Sequence, residues 1–558
     1  MPRRRQRLRP ARSRTGLFIL LIVGVLLLVG CVIAVALLSR GKSELGSREV
    51  MLSVAYSPEK QELFETLADA FNRTKPRLPK GKRVKLVATP LSPDEMVGVA
   101  ADNAYQAISP DSSIWLAEID RRWNEEQATD TGLVGEATRY MVSPVVIAMW
   151  EDVARSLGYP EKELGWQDLL RAADQDPSFK WSHPSTSSAS GLLAALAEFY
   201  AGAGITRGLT EELATAPATL DYVSRLEKTV KHYGEGEQAV IAEIEGKGRA
   251  FLDAFVVQEQ ILIRYNMTHA EKLVAIYPFE GAMWEDHPLA LLEHPLRTDE
   301  ERLAYGLLKD FLLSQETQML VLRHGYRPTD LSIGLGHADS PITLANGADP
   351  AKPYTTLQIP SPSVISVVKN VWWYTKRHTN IYLVADVSGS MEGRKLQDAQ
   401  AALRTFIDQI QGDSERVGLI TFAGQPYETV PLTQLGEGRV KLVGAIDSLT
   451  AGGNTALVDA VGLALTKLHN LEDSERINAI VVMTDGKENR SRNSIYDLIE
   501  TIEDVAESEV PVVIFCIAYG RDADFDTLEL ISDASGGFTR QGELETIKDL
   551  YKTLSTYF

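Results

Sequence analysis

Two apolar runs near the C-terminal end of the chain each stop at polar residues that include an aspartate. Residues 381–385 are followed by Asp386, and residues 477–483 are followed by Thr484 and Asp485. Runs of this length and apolarity are typical of strands that are buried on both faces of a parallel sheet. An amphipathic helical pattern follows the first run, so the C-terminal third is predicted to be an α/β domain.

The segments that follow these strands carry the donor atoms of a candidate metal site. The first segment reads DVSGSM, the second strand ends in TDG, and a GGNT sequence between them opens a helical stretch. In an open parallel sheet, ligands bind beyond the carboxyl ends of the strands. Two carboxylates and three hydroxyls form an oxygen-only set, which Mg²⁺ prefers. The predicted ligands are Asp386, Ser388, Ser390, Thr455 and Asp485. Simple helix capping by the first aspartate and serine is the alternative, but it leaves Thr455 and Asp485 unexplained.

The order and spacing of DVSGSM, GGNT and TDG resemble the von Willebrand factor type A domain, with its metal-ion-dependent adhesion site, over residues 378–558. The resemblance implies that Ser388 and Ser390 bind the metal directly and that Asp386 holds waters and orients both serines. It also implies that Thr455 and Asp485 exchange direct and water-mediated roles. One coordination position would stay open for an Asp or Glu carboxylate of a protein partner. The implied ion is Mg²⁺, with Mn²⁺ or Ca²⁺ as substitutes.

The start of the chain predicts a membrane anchor. Residues 17–38 form a run of 22 residues without a charge, which as a helix spans roughly 33 Å and can cross a bilayer. Seven arginines lie within the first 14 residues, and positive segments stay in the cytoplasm. We therefore expect a cytoplasmic tail at 1–16, a transmembrane helix at 17–39, and the bulk of the chain outside the cell membrane as a single-pass protein.

A lipid anchor is the alternative. Residues 28–31 resemble a bacterial lipobox, in which Cys31 would carry the lipid after cleavage. The apolar run continues beyond Cys31, where a mature lipoprotein turns polar, so the uncleaved helix is favoured. The other cysteine, Cys516, lies in an apolar run, and both thiols are predicted to be unpaired and buried. Two cysteines exclude a cysteine-rich zinc site and a disulfide framework.

Residues 48–330 alternate short β-branched runs with longer helical patterns, which indicates α/β units with a mainly parallel sheet. This segment resembles the bacterial extracellular solute-binding proteins of the two-lobed periplasmic type. The resemblance rests on the segments VAYSPEK, DSSIWLAEI, SPVVIAMW, HPSTSSASGLLAALAEFY and RHGYRP. It implies two α/β lobes joined by crossover strands, with a small solute held between them and hinge closure on binding.

Hydroxyl side chains at predicted strand-to-helix junctions are the candidate solute ligands. They are Ser57, Ser112, Ser113, Thr186 and Ser187. A helix start offers free backbone N–H groups and a partial positive charge, which suit a small anion. Serine and threonine are also preferred helix N-caps, so capping without a ligand remains the alternative at each position.

Residues 331–377 are rich in Gly, Pro, Ser and Thr, so they are predicted to form an extended linker. Residues 363–376 are predicted to form a short helix, in which Trp372 and Trp373 pack against a domain. The whole chain has a net charge of −19, which disfavours nucleic acid as a partner.

These features predict the fold class as two α/β lobes followed by a Rossmann-like domain, with an N-terminal transmembrane helix. The predicted function is metal-dependent protein recognition on the cell surface, together with solute binding or sensing. The alternative is a solute receptor of an ABC-type uptake system. A metal-dependent hydrolase is disfavoured, because the DVSGSM, GGNT and TDG segments contain no histidine that could act as a general base. We therefore do not expect an enzyme.

Overall fold

The computed structural model describes residues 49–542, except residues 235, 377, 411, 474, 507, 509, 521, 522 and 538. The predicted membrane helix at 17–39, the cytoplasmic tail and Cys31 lie outside the described residues, so the anchor stays a prediction. None of the described helices combines the length and apolarity that crossing a bilayer requires.

The N-terminal body consists of short strands and helices in alternation. Its strands are β1 Glu49–Tyr56, β2 Arg83–Pro90, β3 Ala107–Ser109, β4 Val134–Arg139, β5 Met141–Trp150, β6 Trp181–Pro184, β7 Val230–Gly234, β8 Ala254–Gln258, β9 Leu273–Ile276, β10 Trp284–Glu285, β11 Pro288–Leu292 and β12 Arg327–Pro328. Its helices are α1 Gln61–Arg73, α2 Pro93–Val99, α3 Ile114–Gln127, α4 Glu151–Ser156, α5 Trp166–Gln175, α6 Ala189–Ala203, α7 Glu211–Ala214, α8 Pro217–Glu227, α9 Glu237–Lys247, α10 Glu259–Thr268, α11 Asp299–Leu312 and α12 Gln315–Arg323.

These strands form two sheets, one in each lobe. The first sheet has the order β2-β1-β3-β11-β4, and the second has the order β10-β5-β8-β6-β7, with β9 and β12 also paired to β5. The chain passes from the first sheet to the second between β4 and β5, and it returns between β10 and β11. The sheets are mixed rather than mainly parallel, because β11 runs antiparallel to β3 and β4, and β5 runs antiparallel to β8.

Each lobe has its own apolar core, since each sheet buries its β-branched and aromatic side chains under helices. In the first lobe, the rings of Tyr56 and Phe64 stack with their centroids 4.4 Å apart. In the second lobe, Trp166 and Trp181 meet edge to face at 6.2 Å. The two cores fix the loops at the carboxyl ends of β1, β3, β6 and β7.

The connector, residues 331–377, packs on the second lobe through its C-terminal half. Helix α13, Pro362–Thr375, matches the predicted short helix. Leu357, Val364 and Trp372 belong to the apolar core of the second lobe. The Trp372 indole Nε1 donates a hydrogen bond to Glu227 Oε1 at 2.5 Å. The segment that composition predicted to be an extended linker is therefore anchored, because its scattered apolar residues are buried.

The C-terminal domain is a single sheet covered by helices on both faces. Its strands are β13 Thr379–Asp386, β14 Arg416–Phe422, β15 Pro426–Gln434, β16 Ile477–Thr484, β17 Val512–Tyr519 and β18 Thr539–Gly542. Its helices are α14 Arg394–Gln409, α15 Leu435–Asp447, α16 Leu457–His469, α17 Ile495–Ala506 and α18 Phe525–Ala534. The order is β15-β14-β13-β16-β17-β18, and all neighbours are parallel except β15 with β14.

Separate apolar clusters cover the two faces of this sheet. Leu383 and Phe406 belong to one cluster, and Val384 and Val461 belong to the other. Residues of β13 thus alternate between the faces, as expected for a central strand with helices on both sides. Cys516 is free and buried in β17, as predicted, and burial raises the pKa of its thiol to about 12.

We expect Trp372→Ala to lower the free energy of unfolding by about 3–5 kcal/mol, because a buried indole and its hydrogen bond are lost from the second lobe. Unfolding in urea, followed by far-ultraviolet circular dichroism, measures the change. Tyr354→Ala is the matched control, since Tyr354 is an exposed aromatic residue of the same connector. Equal stability of the two variants would contradict the anchored connector.

Candidate functional site

The five residues predicted as metal ligands lie at the carboxyl edge of the C-terminal sheet, where Asp386 ends β13 and the other four lie in the segments beyond the strands. Strands β13 and β16 are adjacent and parallel, with Ala385 paired to Met483. Asp386 and Asp485 therefore follow neighbouring positions on neighbouring strands. Both side chains are buried, and the Thr484 hydroxyl donates a hydrogen bond to Asp386 Oδ2 at 2.5 Å.

Hydrogen bonds link four of the five predicted ligands in one chain. The backbone N–H of Ser388 donates to Asp386 Oδ1 at 2.7 Å. The hydroxyl oxygens of Ser388 and Ser390 lie 3.0 Å apart, and the Ser390 hydroxyl donates to Asp485 Oδ1 at 2.6 Å. A 3-10 turn, Gly389–Met391, brings the two serines to the same side.

The fifth residue, Thr455, lies in a loop whose backbone is hydrogen-bonded to the loop that carries Ser388 and Ser390. Gly389 N donates to Gly453 O at 3.0 Å, and Thr455 N donates to the Asn489 side-chain oxygen at 3.0 Å. A Cβ atom built on Gly486 would lie 3.2 Å from Thr455 Oγ1, 3.4 Å from Ser390 Oγ and 3.6 Å from Asp386 Oδ2. Oxygens from separate segments of the chain thus converge on one point beside Gly486.

The donor set of this edge fits a hard divalent cation. It offers two carboxylates and three hydroxyls without nitrogen or sulfur, which matches the preference of Mg²⁺. Burial raises the pKa of Asp386, and the neighbouring charge of Asp485 adds to this effect, while hydrogen bonds from Thr484 and Ser388 oppose it. A bound cation would compensate both buried carboxylates.

Lys395 was not predicted to belong to this site. It lies in the first turn of α14, and its ammonium group forms an ion pair with Asp485 Oδ2. The side chain is partly exposed, so Lys395 can move away from the carboxylate. Its only sequence signal is a lysine that follows DVSGSM by a few residues, which is too common a pattern to identify it.

The hydroxyl residues predicted as solute ligands lie at strand-to-helix junctions of the two lobes. Ser57 and Ser112 are buried, and their hydroxyl oxygens accept from the backbone N–H groups of Asp111 at 3.1 Å and Ile114 at 3.4 Å. Ser113 is partly buried, and its own N–H donates to Asp286 Oδ1 at 2.7 Å. The hydroxyls of Ser57 and Ser112 therefore already have backbone partners.

In the second lobe, Thr186 is buried and Ser187 is partly buried in the turn before α6. The N-cap of this helix is Ser188, whose hydroxyl oxygen accepts from Gly191 N at 3.0 Å. Ser187 contributes only a long contact of 3.5 Å, from its N–H to Ser185 Oγ. Ser188 therefore caps the helix, and the hydroxyls of Thr186 and Ser187 take no part in capping.

A set of buried ionisable side chains lies between the lobes, beside the predicted serines. We name it the interlobe cluster, and its members are Glu59, Lys60, Asp111, Glu237, Glu285 and His287, all of them buried except Glu59, which is partly buried. Lys60 Nζ lies 3.0 Å from Asp111 Oδ1, and His287 Nδ1 lies 3.2 Å from the same oxygen. The Gln258 amide of the second lobe donates to Asp111 Oδ2 at 3.3 Å, so this cluster bridges both lobes.

Burial dominates the acid–base properties of the interlobe cluster. It raises the pKa of Glu59 to about 8, aided by the charge of Asp111, and it raises the pKa values of Glu237 and Glu285 well above the ordinary range. Burial alone would also raise the pKa of Asp111, but Lys60 and His287 hold that pKa below its ordinary value. Burial and the charge of Lys60 lower the pKa of His287.

Sequence reasoning missed this cluster because its members are single charges spread from residue 59 to residue 287. Their one shared signal is position. Glu59 and Lys60 follow Ser57 closely, Asp111 precedes Ser112, and Glu237 opens α9. Only the packing of the two lobes brings these junctions together.

Comparisons with known proteins agree with the two domain resemblances. Residues 380–553 match the family model of the von Willebrand factor type A domain, and residues 52–327 match that of the bacterial extracellular solute-binding protein. A relative is inter-alpha-trypsin inhibitor heavy chain H4 of Sus scrofa, which is 24% identical over 167 residues. The match spans 29% of this chain but only 18% of that protein's length.

Two solved structures are also similar. The sulfate-binding protein SubI from Mycobacterium tuberculosis H37Rv is 20% identical, with a TM-score of 0.36, and the match covers 51% of this chain and 88% of that chain. The von Willebrand factor type A protein from Catenulispora acidiphila is 21% identical, with a TM-score of 0.29, and the match covers 32% of this chain and 43% of that chain. Two family models thus match successive parts of this chain, that of the bacterial extracellular solute-binding protein first and that of the von Willebrand factor type A domain second.

Proposed function

We propose that the protein is a membrane-anchored, extracytoplasmic binding protein whose C-terminal domain recognises a protein partner through a bound divalent cation. The observation that carries this proposal is the convergence of Asp386, Ser390 and Thr455 oxygens on one point, with Ser388 and Asp485 in the same hydrogen-bonded chain. The ion would be Mg²⁺, with Mn²⁺ or Ca²⁺ as substitutes. Both matched families are binding domains, which supports a binding role.

The residues of this edge would have different roles in holding the ion. Ser388 and Ser390 present their hydroxyl oxygens side by side, while Asp386 is fixed by Ser388 N–H and by the Thr484 hydroxyl. The bound ion supplies an attractive point for an anionic group, so the partner would present an Asp or Glu carboxylate. The acidic chain otherwise repels such a group, since its net charge is −19.

The two-lobed domain would bind a small solute between its lobes. Support comes from the match of residues 52–327 to the solute-binding family and from the polar, buried contact between the lobes. The same match keeps the role of receptor for an ABC-type uptake system as the second candidate. Detection of solute transfer to a permease would favour the receptor, and partner binding without transport would favour adhesion or sensing.

Asp386→Ala should abolish Mg²⁺ binding at the C-terminal site, because it removes one of the two carboxylates that would hold the ion. Asp386→Asn, which keeps a side-chain oxygen acceptor, should weaken binding by at least about tenfold. Titration calorimetry on the purified chain measures both effects. Asp408→Ala is the matched control, since Asp408 is an exposed aspartate on α14. Equal uptake by Asp386→Ala and by the unaltered chain would refute the metal site.

Lys395→Met should tighten Mg²⁺ binding by up to about fivefold, because the ammonium group competes with the ion for Asp485 and such an ion pair is worth up to about 1 kcal/mol. The same calorimetry measures this gain in affinity. Lys441→Met, at an exposed lysine of α15, should leave the affinity unchanged. Weaker binding in Lys395→Met would instead mean that the lysine helps to hold the site together.

Protease added to intact cells should remove both folded domains, because the arginine-rich start and the apolar run at 17–38 predict an N-terminus inside the cell. Immunoblots against the two-lobed domain and the C-terminal domain measure the loss. A cytoplasmic protein of the same cells serves as the control for lysis. Survival of the C-terminal domain in intact cells would reverse the predicted orientation.

A further inference from the structure

We propose that the solute site between the lobes takes a divalent transition-metal cation, held by Glu285 and His287 with Asp111 beside them. The inference rests on the proposed solute-binding role of the two-lobed domain and names the class of its ligand. One ligand atom from each of these residues lies within 4.8 Å of the other two, and all three residues are buried. Asp111 comes from the loop after β3, Glu285 from the end of β10, and His287 from the crossover that leads into β11.

The unpaired atoms of this trio point to a missing ligand. Among the described residues, neither carboxylate oxygen of Glu285 and neither ring nitrogen of His287 has a hydrogen-bond partner. A buried polar group without a partner costs about 1–3 kcal/mol, and native proteins keep few of them. A cation between Glu285 and His287 would satisfy both side chains at once.

The spacing of the trio fits a metal ion better than a direct contact. His287 Nε2 lies 4.0 Å from Glu285 Oε2, which is too far for a hydrogen bond. Metal bonds to imidazole nitrogen and carboxylate oxygen are about 2.0–2.2 Å long, so one ion can bridge this gap. On the other side of the ring, Nδ1 lies 3.2 Å from Asp111 Oδ1, although the two groups are not aligned for a hydrogen bond. A small rotation of the imidazole would let Asp111 accept its N–H and orient it for the metal, as carboxylates commonly do.

The carboxyl groups around the trio suit a cation better than the anion that helix N-termini alone would suggest. Glu285 faces the carboxyl groups of Asp111, Glu237 and Glu59. Within the interlobe cluster the opposing cation is Lys60, and its ammonium group is engaged by Asp111 at 3.0 Å and by Pro110 O at 2.9 Å. These carboxyl groups can become carboxylates by losing their protons when a cation binds, as metal ligands do, and they would then offset its charge, whereas they cannot compensate an added anion.

The donor types separate this site from the one in the C-terminal domain. An imidazole nitrogen together with carboxylates suits Mn²⁺, Fe²⁺ or Zn²⁺, whereas the oxygen-only set at Asp386 and Asp485 suits Mg²⁺. From a mixture of ions, the interlobe site should therefore bind the transition metal and the C-terminal site should bind Mg²⁺.

The test uses the full chain carrying Asp386→Ala, so that the C-terminal site is removed, in buffer with excess Mg²⁺. Mn²⁺ and Zn²⁺ are titrated separately by calorimetry, and the melting temperature is measured with each ion. We expect one ion per chain and a rise in melting temperature, because the ion binds only the native state. Adding Glu285→Gln or His287→Gln should weaken binding by at least about a hundredfold and remove that rise.

At Glu285 glutamine keeps the size and polarity of the side chain, and at His287 it keeps a polar side chain, so the metal-free melting temperature should stay close to that of the parent. Glu316→Gln, at an exposed glutamate of α12, is the matched control and should bind as the parent does. Unchanged affinity in both site variants would overturn the proposal. So would the absence of any Mn²⁺ or Zn²⁺ binding.

A parallel thermal-shift screen of the same protein against oxyanions, sugars and amino acids separates the two levels of inference. A shift with one of these solutes and none with metal would overturn the cation site while leaving a solute-binding domain. No shift with any metal or solute would remove the support for solute binding itself. A shift with metal that Glu285→Gln abolishes would establish both.

Discussion

The parallel pairing of β13 with β16 is the constraint on which the C-terminal site depends. Because Val384 pairs with Val482 and Ala385 with Met483, the two strands end at the same level of the sheet. Asp386 ends β13 and Asp485 directly follows β16, so the register brings both carboxylates to the same edge of the sheet. The loops add only the hydroxyls, and the Gly389–Gly453 and Val387–Gly452 backbone hydrogen bonds hold those loops together. A shift in this register would separate the carboxylates whatever the loop sequences were.

The C-terminal site was predictable from sequence because its information is local. Each ligand lies in a short motif at the end of an apolar run or at the start of a helical stretch, and the rule for parallel sheets then places those motifs at one edge. The family resemblance adds only expected roles for the individual ligands. Lys395 was not predictable, because its contact depends on the direction of one flexible side chain. The antiparallel edge strand β15, Pro426–Gln434, was also missed, since it lies half exposed and lacks a continuous apolar run.

The N-terminal body shows where such reasoning ends. Strand and helix positions at Met141–Trp150 and Ala189–Ala203 follow from apolar runs, so they were predictable. The predicted predominance of parallel strands was wrong. The strands that follow the two crossings between lobes, β5 and β11, pair antiparallel to their neighbours. The interlobe cluster depends on contacts such as Gln258 with Asp111, which are 147 residues apart in the chain. No local pattern encodes a contact of that kind, so the serines were noticed and the carboxyl groups beside them were not.

The C-terminal edge and the interlobe cluster differ in how deeply their side chains are buried, and this difference limits what a bound ion could do at each. At the C-terminal edge, Ser390 is exposed while Asp386 and Asp485 are buried, so an ion held there would face solvent on one side. That geometry leaves room for a group from another molecule, and it suits recognition. In the interlobe cluster, Asp111, Glu285 and His287 are all buried, and the Glu62–Arg264 ion pair joins the lobes nearby. None of these three side chains is exposed, so an ion bound to them would enter or leave when the lobes separate. Carboxylates would therefore hold a cation at both places. At the C-terminal edge the ion would contact a protein partner, and between the lobes the ion would itself be the retained solute.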